Sequence, residues 1–168
     1  MRIIIVDDSA VIRAMLEQNL QKEADIEIVA SVSNGRKAID SAKTLKPDLV
    51  ILDTDMPELD GISATRILAK ELWIPVLIFS EDSFKEEEAK EAGAVSFVKK
   101  PDLSSMNSAF FEPFIAEIRR ASNHVVIGFD KTKRAKAVKH QDEEHVSSKP
   151  YQVLCIGAST GGPTAVQK

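Results

Sequence analysis

The chain has 168 residues, of which 43% are apolar, and its 26 acidic and 22 basic side chains give a net charge of −4. Its apolar runs are of strand length, far short of the roughly 20 residues of a membrane-spanning helix, and a strand pattern at the N-terminus leaves no room for a signal sequence. The single cysteine, Cys155, excludes an intramolecular disulfide framework and a cysteine-based zinc cluster. The composition therefore predicts a cytoplasmic protein with no membrane insertion.

Charge is distributed unevenly along the chain. Residues 1–120 carry 22 acidic and 15 basic side chains, whereas residues 121–150 carry four acidic and six basic ones. An acidic folded unit argues against nucleic acid as the main partner, because duplex binding usually needs a basic face, although net charge does not exclude a local basic patch. The change near residue 121 indicates a domain boundary.

Residues 2–120 alternate between short apolar strands and amphipathic helices. The predicted strands are Arg2–Val6, Ile26–Ala30, Asp48–Leu52, Pro75–Phe79 and Val95–Val98. Apolar spacings of three and four residues predict a helix after each strand. The fourth helix is predicted over Asp82–Ala92, ending at Gly93, and Pro113 predicts a kink in the fifth helix or a later start. Five such units predict an α/β fold with a central parallel sheet covered on both faces.

The alternation stops at residue 121. Residues 121–150 are polar and end in Ser147-Ser148-Lys149-Pro150, which predicts a flexible or partly helical linker. Tyr151–Ile156 is a further predicted strand, and a glycine-rich turn follows it. We therefore expect a domain over 1–120, a linker over 121–150, and over 151–168 the truncated start of a second α/β domain.

Polar residues follow the predicted strands at one edge of the sheet. Asp7 and Asp8 follow the first strand, Asp53 the third, Ser80 the fourth and Lys100 the fifth. The carboxyl ends of parallel strands collect functional loops. Carboxylates about 4 Å apart repel each other by roughly 4 kcal/mol per pair at an effective dielectric of 20, and a hard cation such as Mg²⁺ offsets that repulsion.

A cation in this pocket can hold a phosphoryl group against one carboxylate. Asp53 is then a candidate nucleophile that forms an acyl phosphate, Lys100 supplies positive charge to the phosphoryl oxygens, and the Ser80 hydroxyl can donate to them. The alternative is an acidic cluster that is purely structural or stores metal.

Four segments carry a resemblance to a known family: residues 4–9 (IIVDDS), 52–61 (LDTDMPELDG), 78–80 (IFS) and 97–101 (FVKKP). On these, residues 2–120 resemble the receiver domain of two-component response regulators. The resemblance implies a flavodoxin-like (βα)5 fold and phosphorylation of Asp53 by a histidine kinase. It also implies a Mg²⁺ site in which Asp8, Asp53 and the backbone carbonyl of Asp55 are ligands and Asp7 binds through water.

The same resemblance assigns Ser80 and Phe97 to the hydroxyl and aromatic switch positions. Lys100 matches the family's lysine, since it and not Lys99 stands directly before Pro101, with a cis peptide expected there. Thr54 departs from the apolar residue usual in the family, and we expect the effect to be small. The acidic side chain of Asp55 is expected to alter the phosphoryl lifetime, in a direction that the sequence does not give.

Residues 157–161 fit the pattern G-x-S-x-G, in which Ser159 stands at a sharp turn between a strand and a helix. Alone, the pattern fits a glycine-rich phosphate loop or an ordinary turn equally well. A receiver, a linker and then IGASTGGP at residues 156–163 together resemble the CheB family of chemotaxis protein-glutamate methylesterases. The resemblance implies Ser159 as the esterase nucleophile, a CheA-type histidine kinase as partner, contact with the chain's own methylesterase domain, and chemoreceptors as substrates of the full-length parent.

A serine esterase also needs a histidine base and usually an aspartate, and neither follows Ser159. His124, His140 and His145 lie in the predicted linker, where solvated histidines are expected. The chain as written is therefore not expected to hydrolyse esters. The alternative function is a stand-alone receiver that acts as an interaction module or a phosphate sink. A DNA-binding regulator is disfavoured because no helix-turn-helix pattern follows the linker.

Overall fold

The computed structural model of the protein describes residues 1–124. The strands are β1 (Arg2–Val6), β2 (Glu27–Val32), β3 (Leu49–Leu52), β4 (Val76–Ser80) and β5 (Ser96–Lys99). The helices are α1 (Ala10–Leu20), α2 (Gly35–Leu45), α3 (Gly61–Lys70), α4 (Glu86–Ala92) and α5 (Ser108–Ser122). Two short 3₁₀ turns, Ser83–Lys85 and Leu103–Ser105, precede α4 and α5. The alternating order predicted from the sequence is confirmed.

The five strands form one parallel sheet in the order β2-β1-β3-β4-β5. This is the flavodoxin-like order, in which the chain reverses its direction of winding between β1 and β3. Ligand sites in such sheets lie outside the carboxyl ends of the strands at that reversal. The fold class predicted from the sequence is confirmed, and it directs attention to the residues that follow β1 and β3.

Both faces of the sheet are covered, so the central strands β1, β3 and β4 are buried on both sides. Alternate residues of each strand enter two separate core clusters. Ile5, Ile51 and Phe79 pack with α1 and α5 on one face. Residues on the opposite face, such as Val50 and Ile78, pack with α2, α3 and α4. Burial on both faces explains why these strands appear in the sequence as unbroken apolar runs.

Two helices differ from their predicted form. The predicted helix over Asp82–Ala92 is divided, because residues 83–85 form a 3₁₀ turn before α4 begins at Glu86. The fifth helix begins at Ser108, where the Asn107 side chain accepts a hydrogen bond from the Ala109 backbone N–H at 3.0 Å. It continues through Pro113, so that proline does not mark its start. The side-chain cap of Asn107 fixes the start five residues earlier.

Within residues 1–124, no helix is both long enough and apolar enough to cross a membrane. The described chain ends two residues after α5. Residues 121 and 122, predicted as the start of the linker, belong to α5. The rest of the predicted linker from residue 125 onward, the strand predicted over Tyr151–Ile156 and the serine at position 159 lie outside the described residues.

Candidate functional site

The predicted polar residues meet at one edge of the sheet. Asp7 and Asp8 follow β1, Asp53 follows β3, Ser80 ends β4 and Lys100 follows β5. A pocket of about 320 Å³ lies at this edge. The residues that line it are Asp7, Asp8, Ser9, Ile12, Asp53, Asp55, Glu81, Lys100 and Leu103. The parallel strands therefore bring together residues that are far apart in the sequence.

Three carboxylates form a compact cluster in this pocket. Asp7, Asp8 and Asp53 each present an oxygen, and these oxygens all lie within 4.8 Å of one another. Asp7 and Asp53 are buried, whereas Asp8 is exposed at the mouth of the pocket. Burial of like charges at this spacing is costly without a neighbouring positive charge.

Lys100 supplies that charge. Its Nζ lies 2.6 Å from Asp7 Oδ2 and 2.8 Å from Asp53 Oδ2, and the residue is only 7% exposed. Burial lowers the pKa of Lys100, but hydrogen bonds and charge attraction to Asp53 and Asp7 together outweigh burial, and the net pKa is raised. For Asp7, burial and repulsion from Asp53 raise the pKa, Lys100 and the Ser9 N–H lower it, and the net pKa is raised. The neighbouring Lys99 is exposed.

Residues at the start of α1 hold Asp7 and the backbone of Asp8 in place. The Ser9 N–H donates to Asp7 Oδ1 at 2.9 Å, while the Ser9 hydroxyl accepts from the Ile12 N–H and caps α1. Arg13, one turn into α1, donates to the carbonyl oxygens of Asp7 and Asp8 at 2.7 and 3.2 Å. The start of α1 thus fixes the Asp7 carboxylate and the backbone of both aspartates.

The loop that carries Asp53 is held by its contact with the first residue of α3. The Thr54 N–H donates to Asp53 Oδ1 at 2.7 Å, and the Gly61 N–H donates to the Thr54 carbonyl at 2.9 Å. A Cβ at Gly61 would lie 1.9 Å from the Asp53 carbonyl oxygen, so this close approach requires glycine. Asp60 caps α3 by accepting from the Ser63 N–H at 2.9 Å.

Sequence reasoning did not predict a hydrogen-bond chain beside the pocket. Ser80 Oγ lies 2.5 Å from Thr54 Oγ1, and both residues are buried. Thr54 Oγ1 also donates to Asp55 Oδ2 at 3.1 Å, and Lys85 Nζ donates to Asp55 Oδ1 at 2.5 Å. The hydrogen bond from Lys85 lowers the pKa of Asp55. The sequence indicated Thr54 as a departure from the family and Asp55 as an acidic side chain of consequence, but not the contacts that join them.

Two further sequence expectations concern β5. Phe97 is partly buried and packs against the core cluster on the side of α3 and α4. The peptide bond between Lys100 and Pro101 is trans, as is every other peptide bond in the described part of the chain. The expectation of a cis bond was therefore wrong, and trans is the form that a bond preceding proline favours by about 0.5–1 kcal/mol.

Residues 3–110 match the family described as the response regulator receiver domain. The chain belongs to this family. Its receiver also resembles one solved structure closely enough to specify the type. The response regulator domain of CheB from Thermotoga maritima is 31% identical, with a TM-score of 0.65, and the match covers 74% of this chain and 97% of that one. The receiver is thus of the CheB type.

Curated relatives match the chain beyond the receiver. A protein-glutamate methylesterase/protein-glutamine glutaminase from Methanosarcina barkeri is 34% identical, and one from Bacillus subtilis is 31% identical. Each match covers 99% of this chain and 50% of the relative, so the chain spans about half the length of these proteins. A receiver chain in a CheX–CheY–BeF3–Mg complex from Borrelia burgdorferi, 24% identical with a TM-score of 0.60, supports the fold alone; the match covers 70% of this chain and 88% of that one.

Proposed function

We propose that this receiver accepts a phosphoryl group on Asp53 from a CheA-type histidine kinase, with Mg²⁺ in the adjoining acidic pocket. The observation that carries the proposal is the juxtaposition of Asp53 with Asp7, Asp8 and Lys100. A buried carboxylate with one oxygen in contact with a lysine lies beside two further carboxylates in a solvent-accessible pocket. Membership of the receiver family supports the same chemistry.

The donor set suits a magnesium ion. The clustered ligand atoms are all carboxylate oxygens, and one of the three carboxylates is exposed and reachable from solvent. Hard oxygen donors of this kind favour Mg²⁺, which usually retains several waters. We assign Asp8, Asp53 and the backbone carbonyl of Asp55 as ligands, with Asp7 binding through water. The bound ion would neutralise charge on the transferring phosphoryl group.

The chain's own groups account for the remaining steps. A carboxylate oxygen of Asp53 attacks phosphorus, and the bond from phosphorus to the donor's leaving atom breaks with its electron pair going to the donor. Asp53 Oδ1 accepts from the Thr54 N–H and Oδ2 from Lys100, so the carboxylate is held in one orientation before attack. Lys100 stays protonated and can transfer its contact from Asp53 to a phosphoryl oxygen, where the new negative charge lies.

We further propose how this event reaches the rest of the protein. Ser80 and Phe97 would shift inward and change the face formed by α4 and α5. Residues 1–120 would then regulate, through the linker over 121–150, a methylesterase domain that starts within 151–168 and uses Ser159 as nucleophile. The substrates would be methylated or amidated glutamate side chains of chemoreceptors. The names and lengths of the curated relatives support this arrangement.

The direct test is phosphorylation by acetyl phosphate in the presence of Mg²⁺, followed by intact mass spectrometry. We expect one phosphoryl group on the wild-type chain, none on Asp53→Asn, and none when EDTA replaces Mg²⁺. Asp40→Asn, an exposed carboxylate on α2, is the matched control and should be phosphorylated normally. Equal incorporation by Asp53→Asn and the wild type would contradict the proposal.

The alternative function is that of a stand-alone receiver. The intact mass of the endogenous protein distinguishes this function from regulation of an attached esterase. A species well above 18.5 kDa supports regulation of an attached esterase, and a species at 18.5 kDa supports an interaction module or phosphate sink.

A further inference from the structure

Ser80, the hydroxyl assigned to the phosphoryl group above, is already engaged by another side chain. Its Oγ lies 2.5 Å from Thr54 Oγ1, and both side chains belong to buried residues with 0% and 1% exposure. Either hydroxyl could donate in this pair. The neighbouring groups decide which one does.

The neighbour of Thr54 is an obligate acceptor. Thr54 Oγ1 lies 3.1 Å from Asp55 Oδ2, and the other carboxylate oxygen of Asp55 forms an ion pair with Lys85 Nζ at 2.5 Å. An ionised carboxylate only accepts hydrogen bonds, so the single hydroxyl proton of Thr54 points to Asp55. With the proton turned to Ser80 instead, two oxygen lone pairs would face each other at 3.1 Å.

Ser80 must then donate to Thr54. A serine hydroxyl has one proton and two acceptor lone pairs. The backbone N–H of Asp82 donates to Ser80 Oγ at 3.3 Å, which uses an acceptor site of the same hydroxyl. The proton count therefore leaves Ser80 no free proton for another acceptor.

A phosphoryl oxygen is such an acceptor. We propose that Thr54 is a positioning residue that competes with the phosphoryl group on Asp53 for the proton of Ser80. This inference rests on the proposed function. Phosphorylation must break the contact between Thr54 and Ser80 before Ser80 can donate to the phosphoryl group, and the buried Thr54 oxygen then loses its donor. Thr54 thereby weakens the phosphorylated state relative to an apolar residue at the same position.

The proposal predicts that loss of the Thr54 hydroxyl tightens binding of a phosphoryl mimic. In the phosphorylated wild type, the buried Thr54 oxygen lacks the hydrogen bond from Ser80. The loss of one such hydrogen bond corresponds to roughly a tenfold change in an equilibrium constant. We expect Thr54→Val to bind beryllofluoride, in the presence of Mg²⁺, about three- to tenfold more tightly than the wild type. Fluorine NMR or isothermal titration calorimetry on the full chain measures the dissociation constant.

Two comparisons separate competition for Ser80 from a general structural effect. Ser80→Ala removes the hydroxyl proton for which Thr54 and the phosphoryl group compete. In that background, Thr54→Val should leave the affinity for beryllofluoride unchanged. Thr65→Val is the matched control, because it removes another buried threonine hydroxyl that bonds within α3, and it should bind like the wild type. Thr54→Ser keeps the hydroxyl and should also resemble the wild type. A separate urea titration checks that each variant folds.

The outcomes distinguish this inference from the proposed function. Tighter binding by Thr54→Val that vanishes in the Ser80→Ala background supports the competition. Unchanged or weaker beryllofluoride binding by folded Thr54→Val overturns the competition. So does an affinity gain from Thr54→Val that is equally large in the wild-type and Ser80→Ala backgrounds. In both cases, binding of beryllofluoride by the wild type still upholds the proposed function. Failure of the wild-type chain to bind beryllofluoride overturns both.

Discussion

Lys100 Nζ lies 2.8 Å from Asp53 Oδ2, and both residues are buried beyond the carboxyl ends of β5 and β3, two strands that β4 separates. Asp7 shares the same ammonium at 2.6 Å. Two buried carboxylates thus share the single positive charge of Lys100, and a change in either carboxylate alters the surroundings of the other. The proposed phosphorylation of Asp53 would be such a change.

Removal of this lysine tests the electrostatic arrangement. We expect Lys100→Met to lower the free energy of unfolding by about 3 kcal/mol, because it leaves two buried carboxylates without their cation. Lys99→Met is the matched control, since Lys99 is the exposed neighbour, and it should change stability by less than about 0.5 kcal/mol. Urea unfolding in EDTA measures both. Adding Asp53→Asn to Lys100→Met should restore part of the lost unfolding free energy. Equal stabilities of Lys100→Met and Lys99→Met would contradict the conclusion that Lys100 stabilises the buried carboxylates.

Magnesium should stabilise the chain through the acidic cluster. A ligand that binds only the folded state adds about 2.7 kcal/mol at a concentration 100 times its dissociation constant. We expect a Mg²⁺-dependent rise in melting temperature that Asp8→Ala largely abolishes. In EDTA, Asp8→Ala should be at least as stable as the wild type, because it removes a charge that repels Asp7 and Asp53. Asp40→Ala should retain the magnesium effect, and a full response by Asp8→Ala would count against the assigned ligand.

Gly35 and Gly61, the first residues of α2 and α3, provide a steric test. A Cβ at Gly61 would lie 1.9 Å from the carbonyl oxygen of Asp53, whereas at Gly35 the nearest atom, the carbonyl oxygen of Leu59, is 2.7 Å away. We expect Gly61→Ala to cost more than about 3 kcal/mol, since the Asp53 loop must move, and Gly35→Ala only about 1–2 kcal/mol. Urea denaturation gives both values. Similar losses of unfolding free energy at the two positions would show that the Asp53 loop can shift to accept a Cβ at residue 61.

The cap of α3 gives a pH-dependent prediction. Burial raises the pKa of Asp60, but hydrogen bonds from Ser63 and neighbouring backbone groups outweigh it, so the net pKa lies below its usual value of 3.8. A depressed pKa in the folded state contributes stability above pH 3.8 that is lost as the pH falls through the folded-state value. We expect Asp60→Ala to cost about 1 kcal/mol at pH 7.

The difference between Asp60→Ala and the wild type should shrink below pH 3.8, as measured by urea unfolding at several pH values. Asp60→Asn keeps a cap oxygen that does not titrate, so its difference from Asp60→Ala should hold steady across the same range. A constant gap between the wild type and Asp60→Ala would contradict the role assigned to the carboxylate.

The strands and the positions of the acidic residues were predictable from the sequence. The sequence placed each strand within two residues of its observed bounds. The central strands β1, β3 and β4 appear as unbroken apolar runs because they are buried on both faces. The helix ends were less certain. The start of α5 depends on the Asn107 side-chain cap, and its passage through Pro113 depends on packing of Phe114 and Ile118 in the core.

The sequence by itself determined that Asp7, Asp8, Asp53, Ser80 and Lys100 share one edge of the sheet, since parallel strands with helical crossovers leave no other arrangement of their carboxyl ends. Only the tertiary structure decided which of these groups touch. Lys100 bridges two of the carboxylates, while Ser80 pairs with Thr54 and Lys85 with Asp55. Such pairings depend on side-chain rotamers and, for Lys85, on the turn at residues 83–85. A difference of about an ångström separates a hydrogen bond from no contact, and the sequence pattern does not carry that precision.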